Sequence, residues 1–165
     1  MNDATPATTT YRVSPLPREA FEPLFVLDDA ALAARGIRRV VAGSKPGFPC
    51  RVSLVDAEPG ETLLLLHHLH HDVAGPYRAS GPIYVRERVD TAALAAGELP
   101  AVVRVPARLL SLRAYDADGW LRDATVTESR DLERGIAQLF ADADVRYIHV
   151  HNARPGCYSC RIDRA

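Results

Sequence analysis

Long apolar runs are what this sequence most lacks. Its longest aliphatic stretch is Leu63–Leu66, far short of the ~20 residues that a membrane-crossing helix needs, so no membrane is expected among its partners. Lysine is nearly missing: Lys45 stands alone beside nineteen arginines. With a net charge of −1, the chain also lacks the basic excess of a nucleic-acid binder, which removes nucleic acid from the expected partners. Base composition of the coding sequence explains most of the arginine bias. A functional reading needs particular arginines in particular places, where the guanidinium fork can grip a carboxylate or phosphate.

Other absences narrow the class. The N-terminal ten residues, rich in Thr and Ala, have neither a basic start nor an apolar segment. They read as a flexible leader rather than a secretion signal, and a cytoplasmic location is the expectation. Three cysteines, Cys50, Cys157 and Cys160, are read as reduced thiols in that compartment, not as a disulfide framework. There is no Walker loop, no G-x-G-x-x-G, no G-x-S-x-G and no H-E-x-x-H, so the common nucleotide-binding and hydrolase classes gain no support. What is present, 47% hydrophobic and 25% charged residues in a chain of 165, suits one ordinary globular domain.

That domain is expected over residues 11–165 as an α+β fold. Short helices are predicted near 18–24 and from Asp28, a good N-cap, to a stop at Gly36. From residue 37 on, short apolar runs alternate with turn residues, predicting strands at 37–42, 49–55, 61–68, 82–87, 108–115 and 120–126. The main helix is expected at about 129–141, because Leu132, Ile136, Leu139 and Phe140 form one apolar stripe, with Ser129 as its cap. A last hairpin, 145–152 and 157–163, closes around Ala153-Arg154-Pro155-Gly156, read as a type II turn. The whole predicts a largely antiparallel sheet with one main helix packed on it.

The chemistry-bearing residues crowd near that hairpin. Period-2 geometry puts His149 and His151 on one strand face, where two imidazoles can share a metal or a substrate. Adding Cys157 and Cys160 would make a His2Cys2 zinc set, but residues three apart on a regular strand point to opposite faces. A four-residue loop sets Asn152 opposite Cys157, His151 opposite Tyr158 and His149 opposite Cys160. Half-buried histidines at a sheet edge are the plainer reading. A second cluster, His67-His68-Leu69-His70-His71, ends an earlier strand. If His70 met His151, the two would form an acid/base pair or two metal ligands, since imidazole titrates near neutrality. Arg113 and Tyr115 share a face of an otherwise apolar strand. A charge there is costly unless paired, so Arg113 is either bridged to Asp163 or Glu87 or aimed at an anionic ligand. Arg78 sits in a loop of small and polar residues suited to an anion or merely to a turn.

Several segments are similar to those of one family. Pro49-Cys50-Arg51-Val52-Ser53-Leu54, Pro76-Tyr77-Arg78, Ile83-Tyr84-Val85-Arg86-Glu87, Leu112-Arg113-Ala114-Tyr115-Asp116 and His149-Val150-His151-Asn152-Ala153 with Gly156-Cys157-Tyr158 resemble the domain of unknown function 1203 family of bacterial proteins. The resemblance carries no activity with it. Its pattern matches at His70, Arg113, His151, Asn152, Cys157 and Arg164 and does not require Cys160 or the histidines at 67, 68 and 71, which weakens the zinc reading. The expectation is therefore a small enzyme or ligand-binding domain for a small anionic molecule. His70, His151 and Cys157 are the candidate catalytic groups, and Arg78, Arg113, Tyr115 and Asn152 the candidate binding groups, with no metal assigned. The rivals are a non-catalytic structural or partner-binding domain and a metal-binding module of clustered histidines. No cofactor, substrate or oligomeric state can be read from these residues.

Overall fold

The computed structural model describes residues 10–165. Of the expected leader only Thr10 falls inside that range, and its carbonyl accepts from the Ala165 amide at 3.0 Å. The α+β class holds, but the strands divide between two antiparallel sheets rather than one. The larger sheet combines β1 (Tyr11–Ser14) with four later strands, and the smaller is built from β2 (Arg38–Val41), β3 (Thr62–His71) and β4 (Ala79–Arg86). After these come β5 (Leu109–Tyr115), β6 (Leu121–Glu128), β7 (Tyr147–Asn152) and β8 (Tyr158–Arg164), and the larger sheet runs β1-β8-β7-β5-β6. Two short helices, α1 (Glu22–Phe25) and α2 (Asp29–Ala33), precede β2, and α3 (Leu132–Phe140) joins β6 to β7. No helix among the described residues is long and apolar enough to cross a membrane.

One face of the larger sheet is apolar and backed by α3. The predicted stripe Leu132, Ile136, Leu139 and Phe140 packs with Leu110, Leu112, Ile148, Val150 and Ile162. Each such fully buried aliphatic side chain contributes roughly 1.5–3 kcal/mol. Gly135 faces the sheet, and a Cβ there would meet Leu112 at 3.4 Å, an ordinary contact. Arg164 closes the far end of the helix, donating from Nη2 to the Phe140 carbonyl at 2.6 Å and from Nε to that of Val145 at 2.8 Å. The Phe140 carbonyl is one that a helix terminus otherwise leaves unpaired. A second core, around Leu64, Leu66, Ile83 and Val85, lies under the smaller sheet with Phe21 and Leu32.

Several local expectations change. Asp28 caps α2 as expected, accepting from the Ala31 amide at 2.8 Å. Ser129 does not cap α3; its hydroxyl donates instead to the Val105 carbonyl at 2.8 Å, and the helix starts from a 3-10 turn at Ser129–Asp131. The strand expected over residues 49–55 is a tight loop, with Leu54 at a φ of 53° and the Cys50 amide donating to the Val55 carbonyl. The apolar run there reports burial rather than extended backbone. The 153–156 turn closes by a bond from the Gly156 amide to the Asn152 carbonyl at 2.8 Å, five residues around rather than the four of a type II turn. Gly156 still supplies the positive φ, 79°.

Candidate functional site

β7 is buried along its whole length, and its two faces carry different chemistry. Ile148 and Val150 enter the apolar core, while Tyr147, His149 and His151 face the other way. In register, His149 stands between Arg113 of β5 and Arg161 of β8, and His151 between Ser111 and Tyr158. The expected pairings of Asn152 with Cys157 and of His151 with Tyr158 occur. That of His149 with Cys160 does not, because a bulge after Tyr158 pairs Cys160 with Val150. Cys160 thereby turns into the core, where burial pushes its thiol up to about 12.

A second bulge supplies the partners of the β7 histidines. Leu69 pairs with Ser80 and His71 with Ala79, leaving His70 as the extra residue. The regular alternation expected for residues 67–71 is lost, and both His70 and His71 reach the larger sheet. The His70 ring lies 5.1 Å from His151 and 6.1 Å from His149, and stacks on Tyr158 at 4.9 Å. His71 packs on Tyr115 at 4.2 Å and His149 at 4.9 Å. Its Nδ1 faces the Tyr77 carbonyl at 2.7 Å and its Nε2 the Tyr147 hydroxyl at 2.7 Å. A carbonyl only accepts, so Nδ1 donates to it, and in the neutral ring Nε2 accepts from Tyr147.

Three of these rings, His70, His149 and His151, are poor in protons. Burial, reinforced by neighbouring rings and arginines, pushes His149 down to about 2 and His70 to about 4. Burial also takes His151 to about 4, against the opposing pull of the Gly156 carbonyl. His151 Nδ1 donates to that carbonyl at 3.0 Å, so its Nε2 presents a bare lone pair. Among the described residues, His151 Nε2, His149 Nδ1 and His70 Nδ1 are all buried without a hydrogen-bond partner. Arg113 lies close enough for its charge to depress both His70 and His151. Neither carboxylate expected for Arg113 bridges it: Glu87 pairs with Arg39 at 2.6 Å and Asp163 with Arg161 at 2.7 Å. Indeed, no carboxylate among the described residues lies within 4.0 Å of Arg113. No group of three or more His, Cys, Asp or Glu among the described residues is arranged to hold a metal ion. The His2Cys2 set is not assembled, since Cys160 lies in the core and Cys157 bonds on the Asn152 side of β7.

The other side of the hairpin borders a cleft of about 630 Å³. Arg51, Arg108, Arg154, Asn152 and Cys157 line its polar part, and no Asp or Glu among the described residues does. Leu65, Tyr84, Val105 and Leu109 give it an apolar wall. Arg51 is 1% exposed. The 49–55 loop turns its side chain inward, where Nε donates to the Tyr158 carbonyl at 2.7 Å and Nη1 to that of Pro49. Nη2 reaches Cys157 Sγ at 3.2 Å, and Asn152 Nδ2 donates to the same sulfur at 3.3 Å. Burial pushes the Arg51 guanidinium below its usual range, and Cys157 is the largest opposing influence. Arg108 is paired from behind by Asp56 at 3.7 Å, whereas Arg51 and Arg154 have no carboxylate within 4.0 Å among the described residues.

The candidate residues thus fall into three places. His70, His151, Arg113 and Tyr115 meet on the histidine face. Asn152 and Cys157 belong to the cleft on the opposite face. Arg78 joins neither: it is exposed in the β3–β4 connection and paired with Asp72 at 3.1 Å. Sequence reasoning passed over Arg51, although it lies between Cys50 and Val52 in an apolar run. The argument that singled out Arg113, that a charge among buried neighbours needs a partner, applies to it with more force.

Neither a curated protein nor a solved structure matches this chain. A family model described as a protein of unknown function, DUF1203, matches residues 47–164, which takes in β3 to β8, both histidine clusters and the cleft arginines. The chain therefore belongs to the DUF1203 family.

Proposed function

We propose that the cleft beside the β7–β8 turn binds a small molecule with one carboxylate or phosphate on an apolar body. The observation that carries this reading is a cleft of about 630 Å³ whose charged lining residues are all arginines. Its size lies within the ~300–1,000 Å³ of small-molecule sites, which pair apolar walls with a few polar groups. Arg154, exposed at the turn, meets the anion first, and Asn152 and Cys157 line the cleft beside the turn. A second reading rests on Arg113, which faces neutral imidazoles and has no carboxylate partner among the described residues. There an anion sits on Arg113 with Tyr115 beside it, while the bare Nε2 of His151 and the unpartnered Nδ1 of His70 hydrogen-bond its other polar groups.

Thermal melting with a panel of small carboxylates and phosphates tests both, because a ligand that binds only the folded chain raises its melting temperature. The cleft reading expects a hit whose shift shrinks in Arg154→Ala and persists in His70→Ala. The opposite pattern selects the histidine face. A panel with no hit at millimolar concentration rejects both.

A further inference from the structure

We infer that Cys157 is the nucleophile of the cleft, acting on a small carboxylate that carries an electrophilic carbon; this rests on the anion-binding reading above. The thiol is not isolated. It borders the cleft and is partly open to it, and two donors converge on its sulfur, Arg51 Nη2 at 3.2 Å and Asn152 Nδ2 at 3.3 Å. Arg51 is a buried cation whose other bonds go to backbone carbonyls, so among the groups hydrogen-bonded to it only the Cys157 sulfur can take up a full negative charge. A buried charge left without a counter-charge is costly, and a cation fixed beside a cysteine at a cleft wall is the setting of a reactive thiol. The other two cysteines are not placed for this work. Cys160 is in the core, and Cys50 is fully buried with the Ser53 and Arg86 amides donating to its sulfur.

The step is a substitution without change of oxidation state. The thiol proton passes to solvent, the thiolate pair forms the S–C bond, and the leaving group departs with the electrons of its own bond to carbon. Arg154 and Arg51 balance the substrate's carboxylate and the attacking sulfur, and the apolar wall takes the remainder of the molecule.

Two alkylating reagents that differ only in charge test this on the full chain. Iodoacetate and iodoacetamide both lose iodide to a thiolate, and mass spectrometry of the Cys157 peptide gives each rate, with glutathione as the reference thiol. At pH 7, neutral iodoacetamide is expected to modify Cys157 about tenfold faster than glutathione, while Cys50 and Cys160 stay unmodified. The ratio of iodoacetate to iodoacetamide rates is expected about tenfold above the glutathione ratio, as an arginine-lined cleft concentrates anions. Arg154→Ala should lower that ratio. Asn152→Ala should slow the iodoacetamide reaction severalfold, which keeps a readout even if Arg51→Met does not fold. A Cys157 no faster than glutathione towards iodoacetamide, or one indifferent to Asn152→Ala, overturns the nucleophile. A charge ratio equal to that of glutathione instead overturns the anion reading, and the substrate class with it.

Discussion

The histidine face makes acid stability the sharpest quantity to measure. His149 and His151 are each 1% exposed and held far below their ordinary titration range, at about 2 and about 4. In the unfolded chain both titrate near ~6.5. Their folded values are lower, so the unfolded state binds protons first, and stability present above pH ~6.5 is lost as the pH falls towards the folded values. Each group removes about 1.4 kcal/mol per pH unit below that point. Between pH 7.5 and 5.5 the pair together should therefore cost about 2.7 kcal/mol. His70, likewise at about 4 but only half-buried, adds a smaller share. Against a typical total of ~5–15 kcal/mol, this approaches acid unfolding well above the pH at which carboxylates titrate. Urea unfolding at half-unit pH intervals gives the slope directly. His149→Phe keeps a ring but removes one proton site, and should flatten the slope by about 1.4 kcal/mol per pH unit. Equal stability at pH 7.5 and 5.5, or an NMR titration placing His149 near 6.5, would refute the burial argument.

Three other outcomes follow from packing and hydrogen bonding. Arg51→Met takes the Arg51 donor from the Tyr158 and Pro49 carbonyls and leaves the Cys157 sulfur with Asn152 alone; a loss of about 3 kcal/mol or more is expected in urea unfolding. Gly119 has a φ of 82°, and an added Cβ would stand 2.6 Å from Val73 Cγ1. Gly119→Ala should therefore lower stability by about 2 kcal/mol, from strain and the displaced valine together. Gly135→Ala should act in the other direction. Its Cβ meets Leu112 and Thr127 at 3.4 and 3.6 Å, ordinary contact, so the helix gain of up to about 1 kcal/mol survives, and thermal unfolding should shift upwards.

Much of the architecture was legible because it rests on local periodicity. The stripe from Leu132 to Phe140 specified α3, the Asp28 cap opened α2, and alternation along 145–152 separated the histidines of β7 from Ile148 and Val150. The four residues between Asn152 and Cys157 set the near end of the last hairpin. These are properties of neighbouring residues, and 3.6- and 2-residue periods encode them in the sequence. The division into two sheets was not encoded there, because the pairing of distant strands depends on which apolar faces meet. The apolar run at 49–55 looked like a strand for the same reason: burial and extension leave one signature in composition. Two bulges then decided the sites. One removed Cys160 from the histidine face, the other brought both His70 and His71 onto it, and one unpaired residue reverses every later side chain. What the sequence by itself determined was the inventory of His, Arg and Cys and the strands that carry them. Only the tertiary structure assigned His70, His151 and Arg113 to one face and Cys157, Asn152 and Arg51 to the other, since register and long-range burial, not local propensity, fix which side chains converge.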